Sequence, residues 1–502
     1  MTAIPPPQRD TDTFSELVLR RENGKIVVYL EETEGTAERR KAWTYLPNDM
    51  GNASFFVDVA KKWVRYDPRN KQWLLWIDPL WEVDREEIIL EIAKLAMRAA
   101  LEDAVGMPAD SKAEEDARRK QLNHAARSMS RTPMENAVYL ARSDRKLVVN
   151  TTNWNVEPLL VGVQNGVLNL EDGTLRKASK EDLISRHLGV SYNEHAKCPR
   201  WERFVSEVLV EPELIDYLWK ALGYTLTGLV REDCWFGCYG NGSNGKSTMF
   251  NVLQYIFHDY AYNAPFSIVE RSQGGRKDFD LAYLQGMRLV CAPETRQGVS
   301  WDEERLKKLT GRDVIHAEFK YGREFNFWPT HKLWFMFNHQ PKAADSSEGF
   351  WRRVRLIPFT QKFGADRADT GLEAALRSEA EGILSWLVRG CLEWQKSGLT
   401  APKLVQDASN EYRAHEDPLA EFIAKHVQNV GSGFYLRDVY DLYTQWAKGE
   451  RVKALGRNSF AMLLGTKFNK VLKRNVPFYE GGSLVFVCTC LSKPCTCLGS
   501  KP

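Results

Sequence analysis

Residues 240–248, GNGSNGKST, have the residue types and spacing of a phosphate-binding loop. Their pattern is G-x4-G-K-S, in which glycines let the backbone turn its N–H groups inward around an anion. The lysine reaches phosphate oxygens and the serine hydroxyl can ligate Mg²⁺. The spacing therefore predicts a site for ATP and Mg²⁺. It is formed by Gly240, Asn241, Gly242, Ser243, Asn244, Gly245, Lys246, Ser247 and Thr248.

Polar side chains accompany three later apolar runs, and each has a possible role in phosphate chemistry. Glu294 ends RLVCAPE, where a carboxylate can hold the metal shell or orient the attacking water. Asn338 ends KLWFMFN, where an amide can position that water. Arg352 and Arg353 precede VRLIPF and face different ways if extended, so one can point at a neighbouring subunit's nucleotide. Taken singly, each of these residues also suits an ordinary strand end or surface ion pair.

These residues need secondary structure that brings them together. An apolar run at 234–239 precedes the glycine-rich loop, and residues 247–257 have helical apolar spacing. From 233 onward strand-like and helix-like segments alternate, which is typical of a parallel sheet with crossover helices. A long helix is predicted at 377–398. The fold class is therefore α/β.

Composition limits the remaining possibilities. A chain of 502 residues is too long for one ordinary core. Lys and Arg number 69 against 66 Asp and Glu, so any DNA surface must be local. No apolar stretch reaches the roughly 18 residues of a membrane span, and the N-terminus does not resemble a signal peptide. Five of the nine cysteines stand singly in or beside apolar runs, which indicates a reducing compartment.

Upstream of the loop, residues 15–210 predict an α/β domain after a flexible start at 1–14. Residues 63–81 predict two strands joined by a turn containing Pro and Asn, and residues 84–103 predict a helix with an acidic first turn. Five tryptophans lie between 43 and 81. They fit either the core of this domain or a platform on which single-stranded bases stack.

The order of the motifs is distinctive. GNGSNGKST, RLVCAPET, RLKKLTGRD, KLWFMFN and GFWRRVRLIPF follow one another in residues 240–359. This order resembles the superfamily 3 helicases, and within them the helicase module of phage and plasmid primase-helicases and the poxvirus nucleoside triphosphatase. VQNGVLNLEDGTL, AKCPRWERFVSEV and ELIDYLWKALGYTLTG resemble the domain that precedes the ATPase in that family. The resemblance covers about residues 55–365 and, weakly, the tail.

The resemblance implies an AAA+-like ATPase core at 211–365 that forms a ring, usually a hexamer, with ATP between subunits. It implies 3′-to-5′ translocation on single-stranded DNA. It also assigns motif roles to the residues of the nucleotide site: Lys246, Ser247 and Thr248 in Walker A, Glu294 in Walker B, Asn338 at sensor 1, and Arg352 or Arg353 as the arginine finger.

Residues 315–329 predict two strands about a turn at Tyr321–Gly322. In the resembling family a hairpin here lines the central channel and grips the DNA backbone. This assigns DNA binding to Lys320, Tyr321 and Arg323. An exposed hairpin without DNA contact is the alternative, because these residue types suit exposed turns.

After a helical connection at 366–415, residues 416–488 predict a winged-helix-like domain. Residues 451–474 contain seven Lys or Arg, no acid and apolar residues at helical spacing, and a hairpin is predicted at 476–488. A basic helix before a wing suits contact with duplex or fork DNA. A solvated helix packed against the ring is the alternative.

The Cys-rich tail at 489–502, with the residue just before it, contains a C-x-C-x4-C-x-C pattern. Four thiolates can form a tetrahedral zinc site, but C-x-C is tighter than the usual knuckle spacing, so zinc is the less favoured interpretation. The residues concerned are Cys488, Cys490, Cys495 and Cys497.

Taken together, the sequence predicts a cytoplasmic, ATP-dependent replicative helicase of phage or plasmid type. Its partners are single-stranded DNA, the replication fork and copies of itself in a homo-oligomer. Residues 1–200 lack a D-x-D after an apolar strand and a Cys/His zinc pattern, so a separate primase or polymerase is expected. Two alternatives stay open: a defence or signalling P-loop NTPase that does not unwind DNA, and a replication initiator switched by nucleotide.

Overall fold

The computed structural model describes residues 13–34, 40–150, 153–271, 278–293, 298–319, 324–343, 347–364, 369–417, 419–428, 431–450, 452, 454–465 and 467–485. Several predicted residues lie outside these ranges: Glu294, Lys320, Tyr321, Arg323, Cys488, Cys490, Cys495 and Cys497. The roles assigned to them stay predictions.

The N-terminal part joins four helices to short antiparallel sheets. Its strands are β1 (Thr13–Glu22), β2 (Lys25–Glu34), β3 (Val64–Asp67), β4 (Gln72–Ile77) and β5 (Leu80–Val83). Its helices are α1 (Asp49–Ala60), α2 (Ile88–Val105), α3 (Lys112–Ser128) and α4 (Arg131–Ala141). The predicted strand pair within 63–81 and the predicted helix at 84–103 are confirmed, and β5 adds an antiparallel strand beside β4.

The tryptophans of this part serve mainly as core residues. Trp73, Trp76 and Trp81 are buried, while Trp43 and Trp63 are half-buried. The Trp76 and Trp81 rings pack edge to face with their centroids 5.5 Å apart. The core interpretation of the sequence therefore holds for the three buried rings.

A second segment connects this part to the nucleotide site. It contains β6 (Leu160–Val163), β7 (Gly166–Asn169), β8 (Leu175–Arg176), α5 (Pro199–Leu209) and α6 (Pro212–Leu226). Val161, Trp201 and Leu218 belong to the same buried cluster as Phe250 and Leu387 further along the chain. One continuous core therefore joins this segment to the elements that follow.

A five-stranded parallel sheet forms the centre of the molecule, as the alternating pattern predicted. Its strands are β9 (Trp235–Tyr239), β10 (Ala261–Asn263), β11 (Leu289–Pro293), β14 (Lys332–Phe337) and β15 (Val354–Pro358). They lie in the order β10-β11-β14-β9-β15. The intervening elements are α7 (Lys246–Phe257), α8 (Glu303–Thr310), α9 (Glu348–Trp351) and the antiparallel pair β12 (Ile315–Glu318) and β13 (Glu324–Phe327).

The C-terminal part is helical and ends in short strands. Its helices are α10 (Leu372–Ser378), α11 (Ala380–Ser397), α12 (Lys403–His415), α13 (Ala420–His426), α14 (Leu436–Gly449) and α15 (Arg457–Gly465). Its strands are β16 (Val427–Gln428), β17 (Phe434–Tyr435), β18 (Asn469–Lys473), β19 (Val476–Glu480) and β20 (Ser483–Leu484). The predicted helix at 377–398 is confirmed by α11.

The prediction of one basic helix across 451–474 is wrong in its second half. Helix α15 ends at Gly465, and residues 469–473 form β18, which pairs antiparallel with β19. Arg474 and Asn475 have φ angles of 52° and 62°. This left-handed pair is typical of a two-residue hairpin turn, which places the hairpin earlier than the sequence predicted.

The five single cysteines, Cys198, Cys234, Cys238, Cys291 and Cys391, are buried free thiols. Burial raises the pKa of Cys234 and Cys291 to about 12, so both stay protonated at neutral pH. They therefore act as small apolar core residues.

Among the described residues, none of the helices combines the length and the apolar character needed to cross a lipid bilayer.

Helices α6 and α11 touch backbone to backbone. A Cβ at Gly223 would lie 2.1 Å from Cys391 N, and one at Gly390 would lie 2.5 Å from Trp219 O. Trp219 Nε1 donates a 2.7 Å hydrogen bond to Trp386 O across the same interface. The two glycines thus permit a close helix contact in the core beside the sheet.

We expect Gly223→Ala to destabilise the fold by at least about 2 kcal/mol, because neither backbone can move away without disturbing the core. Gly449→Ala is the matched control, since a Cβ there meets nothing within 4 Å at the end of α14. Urea unfolding followed by circular dichroism would measure both variants. Equal midpoints would contradict the tight contact.

Candidate nucleotide-binding site

The glycine-rich loop links the end of β9 at Tyr239 to the start of α7 at Lys246, which is the predicted strand–loop–helix arrangement. Gly240 and Gly245 have φ angles of +157° and +82°. A Cβ at Gly240 would lie 2.2 Å from Phe359 O. A Cβ at Gly245 would lie 2.7 Å from Val208 Cγ2. Both positions therefore require glycine.

Lys246 lies at the centre of this site and is only 5% exposed. Its Nζ donates to Gly240 O at 2.7 Å and lies 3.4 Å from Asn338 Oδ1. Asn338 arrives here because β14 lies beside β9 in parallel register, with Phe337 opposite Tyr239. The structure thus brings together two predicted site residues that are 92 positions apart.

The first turn of α7 completes the loop. Ser247 is exposed, so its hydroxyl is open to solvent, and Thr248 is half-buried. The N-terminal end of a helix carries partial positive charge and free N–H groups, which favour anions. The loop, the ammonium and the exposed hydroxyl therefore fit a nucleoside triphosphate with its Mg²⁺ ion.

Two contacts fix the loop to the segment after β15. Asn244 is 3% exposed, and its Nδ2 donates to Phe359 O at 3.3 Å. Phe363 N donates to Ser243 O at 2.8 Å. The motif predicts phosphate binding for Asn244 and Ser243 and does not predict this anchoring. No local sequence pattern predicts these contacts, because the partner residues lie more than one hundred positions away.

The strand β11 ends at the same sheet edge as the loop. Pro293, its last residue, lies opposite Met336 of β14, one position before Phe337. Glu294 follows Pro293 in sequence but lies outside the described residues. Its assignment to the metal shell stays a prediction.

The two predicted arginines lie at the amino ends of the strands, whereas the glycine-rich loop lies at their carboxyl ends. Val354, the first residue of β15, pairs with Trp235, and Trp235 N donates to Arg353 O at 2.9 Å. The loop follows Tyr239 at the other end of β9, about 16 Å away for a five-residue strand. The structure therefore does not bring the arginines to the loop of their own chain.

Arg352 and Arg353 differ in how they are held. Arg353 is half-buried, and its Nη1 donates to Gly349 O at 2.6 Å. Burial, followed by the charge of Arg352, lowers the pKa of Arg353. Arg352 is exposed to solvent. The side chain that can reach out of the molecule is therefore Arg352.

Arg352 borders a polar depression of about 180 Å³ between β15 and α12. Arg355 and Arg413 also line it, and Arg413 Nη1 lies 2.9 Å from Glu348 Oε2. Arg413 was not predicted from the sequence, because α12 lies outside the motifs. The depression concentrates positive charge beside Arg352.

The parallel sheet and the loop between its strand and helix define the chain as an α/β protein of the P-loop type. Residues 53–210 match the family described as D5 N terminal like, and residues 238–353 match a family of unknown function, DUF5906.

The similar curated proteins are viral. The chain is 25% identical over 417 residues to "Putative helicase L207/L206" of Acanthamoeba polyphaga mimivirus, covering 77% of this chain and 43% of that protein. It is 26% identical over 353 residues to "Putative helicase 121R" of Invertebrate iridescent virus 3, covering 62% and 38%. The chain spans less than half the length of these relatives. The resemblance to helicases that the motifs indicated is confirmed by these relatives.

Among solved structures, the chain is similar to the NrS-1 C terminal region. One apo structure, in the A form, matches with 12% identity and a TM-score of 0.45, covering 88% of this chain and all of that chain. Another A-form apo structure, of residues 305–718, matches with 11% identity and a TM-score of 0.44, covering 83% and 96%.

Proposed function

We propose that the chain is an ATP-dependent replicative DNA helicase of superfamily 3, with an AAA+-like core that works in a ring of identical subunits. The observation that carries the proposal is the meeting of Lys246, Gly240 and Asn338 at the carboxyl edge of the sheet. The resemblance to helicases supplies the DNA substrate, the hexamer and the 3′-to-5′ direction.

Each residue of the site has its own role in the proposed ATP hydrolysis. The loop N–H groups and Lys246 bind the β- and γ-phosphates, and Asn338 orients the attacking water. Ser247 and Glu294 would hold Mg²⁺, which neutralises charge on the phosphate oxygens. Positioning and charge stabilisation are most of what phosphoryl transfer requires from a protein.

The positions of the arginines support action between subunits. Within one chain they lie a strand's length from the loop, so the nucleotide they serve belongs to a neighbour. A head-to-tail interface repeats this pairing at every contact and closes into a ring when the rotation permits. Arg352 is the finger in this proposal, because Arg353 is held by Gly349 O.

DNA binding is proposed for two elements. One is the hairpin of β12 and β13, where Glu318 pairs with Glu324 and the predicted tip residues Lys320, Tyr321 and Arg323 lie between them in sequence. The other is the C-terminal domain, proposed to be winged-helix-like, in which Arg457 lies in α15 and Lys470 and Lys473 lie in β18. A separate primase or polymerase remains the proposed partner at the fork.

A strand-displacement assay on forked DNA tests the proposal. We expect ATP-dependent unwinding of forks with a 3′ single-stranded tail and none with only a 5′ tail. Hydrolysis stimulated by DNA without displacement would instead support an NTPase that does not unwind. Nucleotide binding without DNA-stimulated hydrolysis would support a nucleotide-switched initiator.

The proposed DNA binding by the hairpin can be tested separately from ATP hydrolysis. We expect Lys320→Ala combined with Tyr321→Ala to abolish unwinding and DNA stimulation while basal ATP hydrolysis persists, because the residues proposed to bind and hydrolyse ATP are unchanged in this variant. Lys120→Ala with Tyr139→Ala is the matched control, since both residues are exposed on the N-terminal helices. Normal unwinding by the hairpin variant would remove the hairpin from the DNA path.

A further inference from the structure

Two histidines and one aspartate meet at the far end of the helix that begins at the nucleotide loop. His258 and Asp259 follow directly after α7, and His187 comes from the segment before α5. His187 Nδ1 lies 2.7 Å from Asp259 Oδ2, and His258 Nδ1 lies 3.2 Å from Asp259 Oδ1. One ligand atom from each residue lies within 4.8 Å of the other two.

The donor set suits a divalent transition metal. Two imidazoles and a carboxylate are ligands that Zn²⁺ accepts, and a tetrahedral ion with bonds of about 2.0–2.1 Å holds its ligands roughly 3.3 Å apart. The contacts of His187 and His258 with Asp259, at 2.7 and 3.2 Å, go to different carboxylate oxygens, so an ion would enter the cluster by rotation of these side chains. His258 is 52% exposed, which leaves an open side for a water as the fourth ligand.

The backbone holds these side chains in place. His187 N donates to Asp259 Oδ2 at 3.2 Å, and Asp259 N donates to His187 O at 3.3 Å. Gly189 N also donates to Ile256 O at 2.8 Å. The two chain segments are thus tied together on both sides of the cluster, and a bound ion would need no backbone rearrangement.

The nearby arginine is bonded to the main chain of Asp259. Arg186 is the neighbouring cation, but its Nη1 donates to the main-chain carbonyl of Asp259 at 2.8 Å.

We propose that His187, His258 and Asp259 form a binding site for Zn²⁺ or a similar transition-metal ion. The ion takes one nitrogen from each neutral imidazole and one carboxylate oxygen, and the ring proton of each Nδ1 ligand moves to Nε2. It ties the end of α7 to the segment that precedes α5. This site is separate from the nucleotide loop, which lies at the other end of α7.

Metal binding by the full chain tests the site. After chelation and buffer exchange without nucleotide or Mg²⁺, Zn²⁺ is added, excess ion is removed and the metal content is measured by mass spectrometry. We expect the unchanged chain to retain one ion more than His187→Ala combined with His258→Ala. We also expect Zn²⁺ to raise the thermal unfolding midpoint of the unchanged chain and not that of the variant.

The controls separate this site from other metal ligands. His195→Ala with His415→Ala removes two exposed histidines elsewhere and should keep the extra ion. The tail cysteines contribute equally to every variant, and Co²⁺ spectra reveal them because thiolates add an intense near-ultraviolet band. If the double variant does not fold, Asp259→Asn and His258→Gln carry the same comparison. Equal metal content in the unchanged and variant chains would overturn the proposal and leave a hydrogen-bonded cluster only.

Discussion

Lys246→Ala is expected to lower ATP hydrolysis by at least about 10²-fold, because it removes a charged donor aimed at the transferring phosphate. Unwinding should be lost with it. The ammonium at present bonds Gly240 O and Asn338 Oδ1, so the substitution also removes the link between the loop and β14. Steady-state phosphate release with and without single-stranded DNA measures the effect.

The control for this variant is Lys396→Ala, which removes an exposed ammonium from α11 far along the chain from the loop. Circular dichroism and unfolding midpoints establish that both variants fold. A folded Lys246→Ala chain that hydrolyses ATP at a near-normal rate would contradict the assignment of residues 240–248 as the catalytic loop.

The sequence predicts the loop well because its physics is local. Gly240, Gly245 and Lys246 act through positive φ angles and spacing that a short motif contains. The meeting of Lys246 and Asn338 is not local, but it follows from parallel strands whose carboxyl ends share an edge. The alternation of strands and helices was therefore enough to place Asn338 near the loop.

Other features depend on contacts that no local pattern encodes. The helical spacing of apolar residues continues past Gly465, yet β18 pairs with β19 instead, because Phe478 and Tyr479 of β19 join the core of the C-terminal domain. The His187 cluster was missed for a similar reason. Its members are 71 and 72 positions apart and meet only through the fold.

The choice between Arg352 and Arg353 as the proposed arginine finger could not be made from the sequence alone either. The expectation that Arg352 and Arg353 face different ways assumed an extended segment, but Arg352 has helical angles (φ −62°, ψ −18°) at the C-cap of α9, and the strand begins only at Val354. Arg353 Nη1 donates a hydrogen bond to Gly349 O in the short helix α9, whereas the Arg352 side chain is exposed to solvent. This difference in contacts, which the sequence does not contain, favours Arg352.

Arg352→Ala is therefore expected to lower ATP turnover by about 10³-fold while ATP binding is largely kept, because a finger stabilises charge that develops in the transition state. Arg353→Ala should have a much smaller effect on turnover, and it should act mainly through the packing of α9. Turnover measurements together with equilibrium binding of a fluorescent ATP analogue distinguish these outcomes. An equal loss in both variants would contradict the assignment of Arg352.

Mixed rings decide whether the arginine acts on a neighbour. Arg352→Ala subunits keep an intact loop, and Lys246→Ala subunits keep an intact arginine, so each parent ring is inactive for a different reason. In a mixed ring some interfaces pair an intact loop with an intact arginine, and those interfaces should hydrolyse ATP. Activity should therefore rise from both parents to a maximum at intermediate mixing ratios. If rings shown to contain both subunits stay as inactive as the parents, the arginine does not act in trans. The separation of loop and finger across the sheet would then need another explanation, such as a change of shape within one chain.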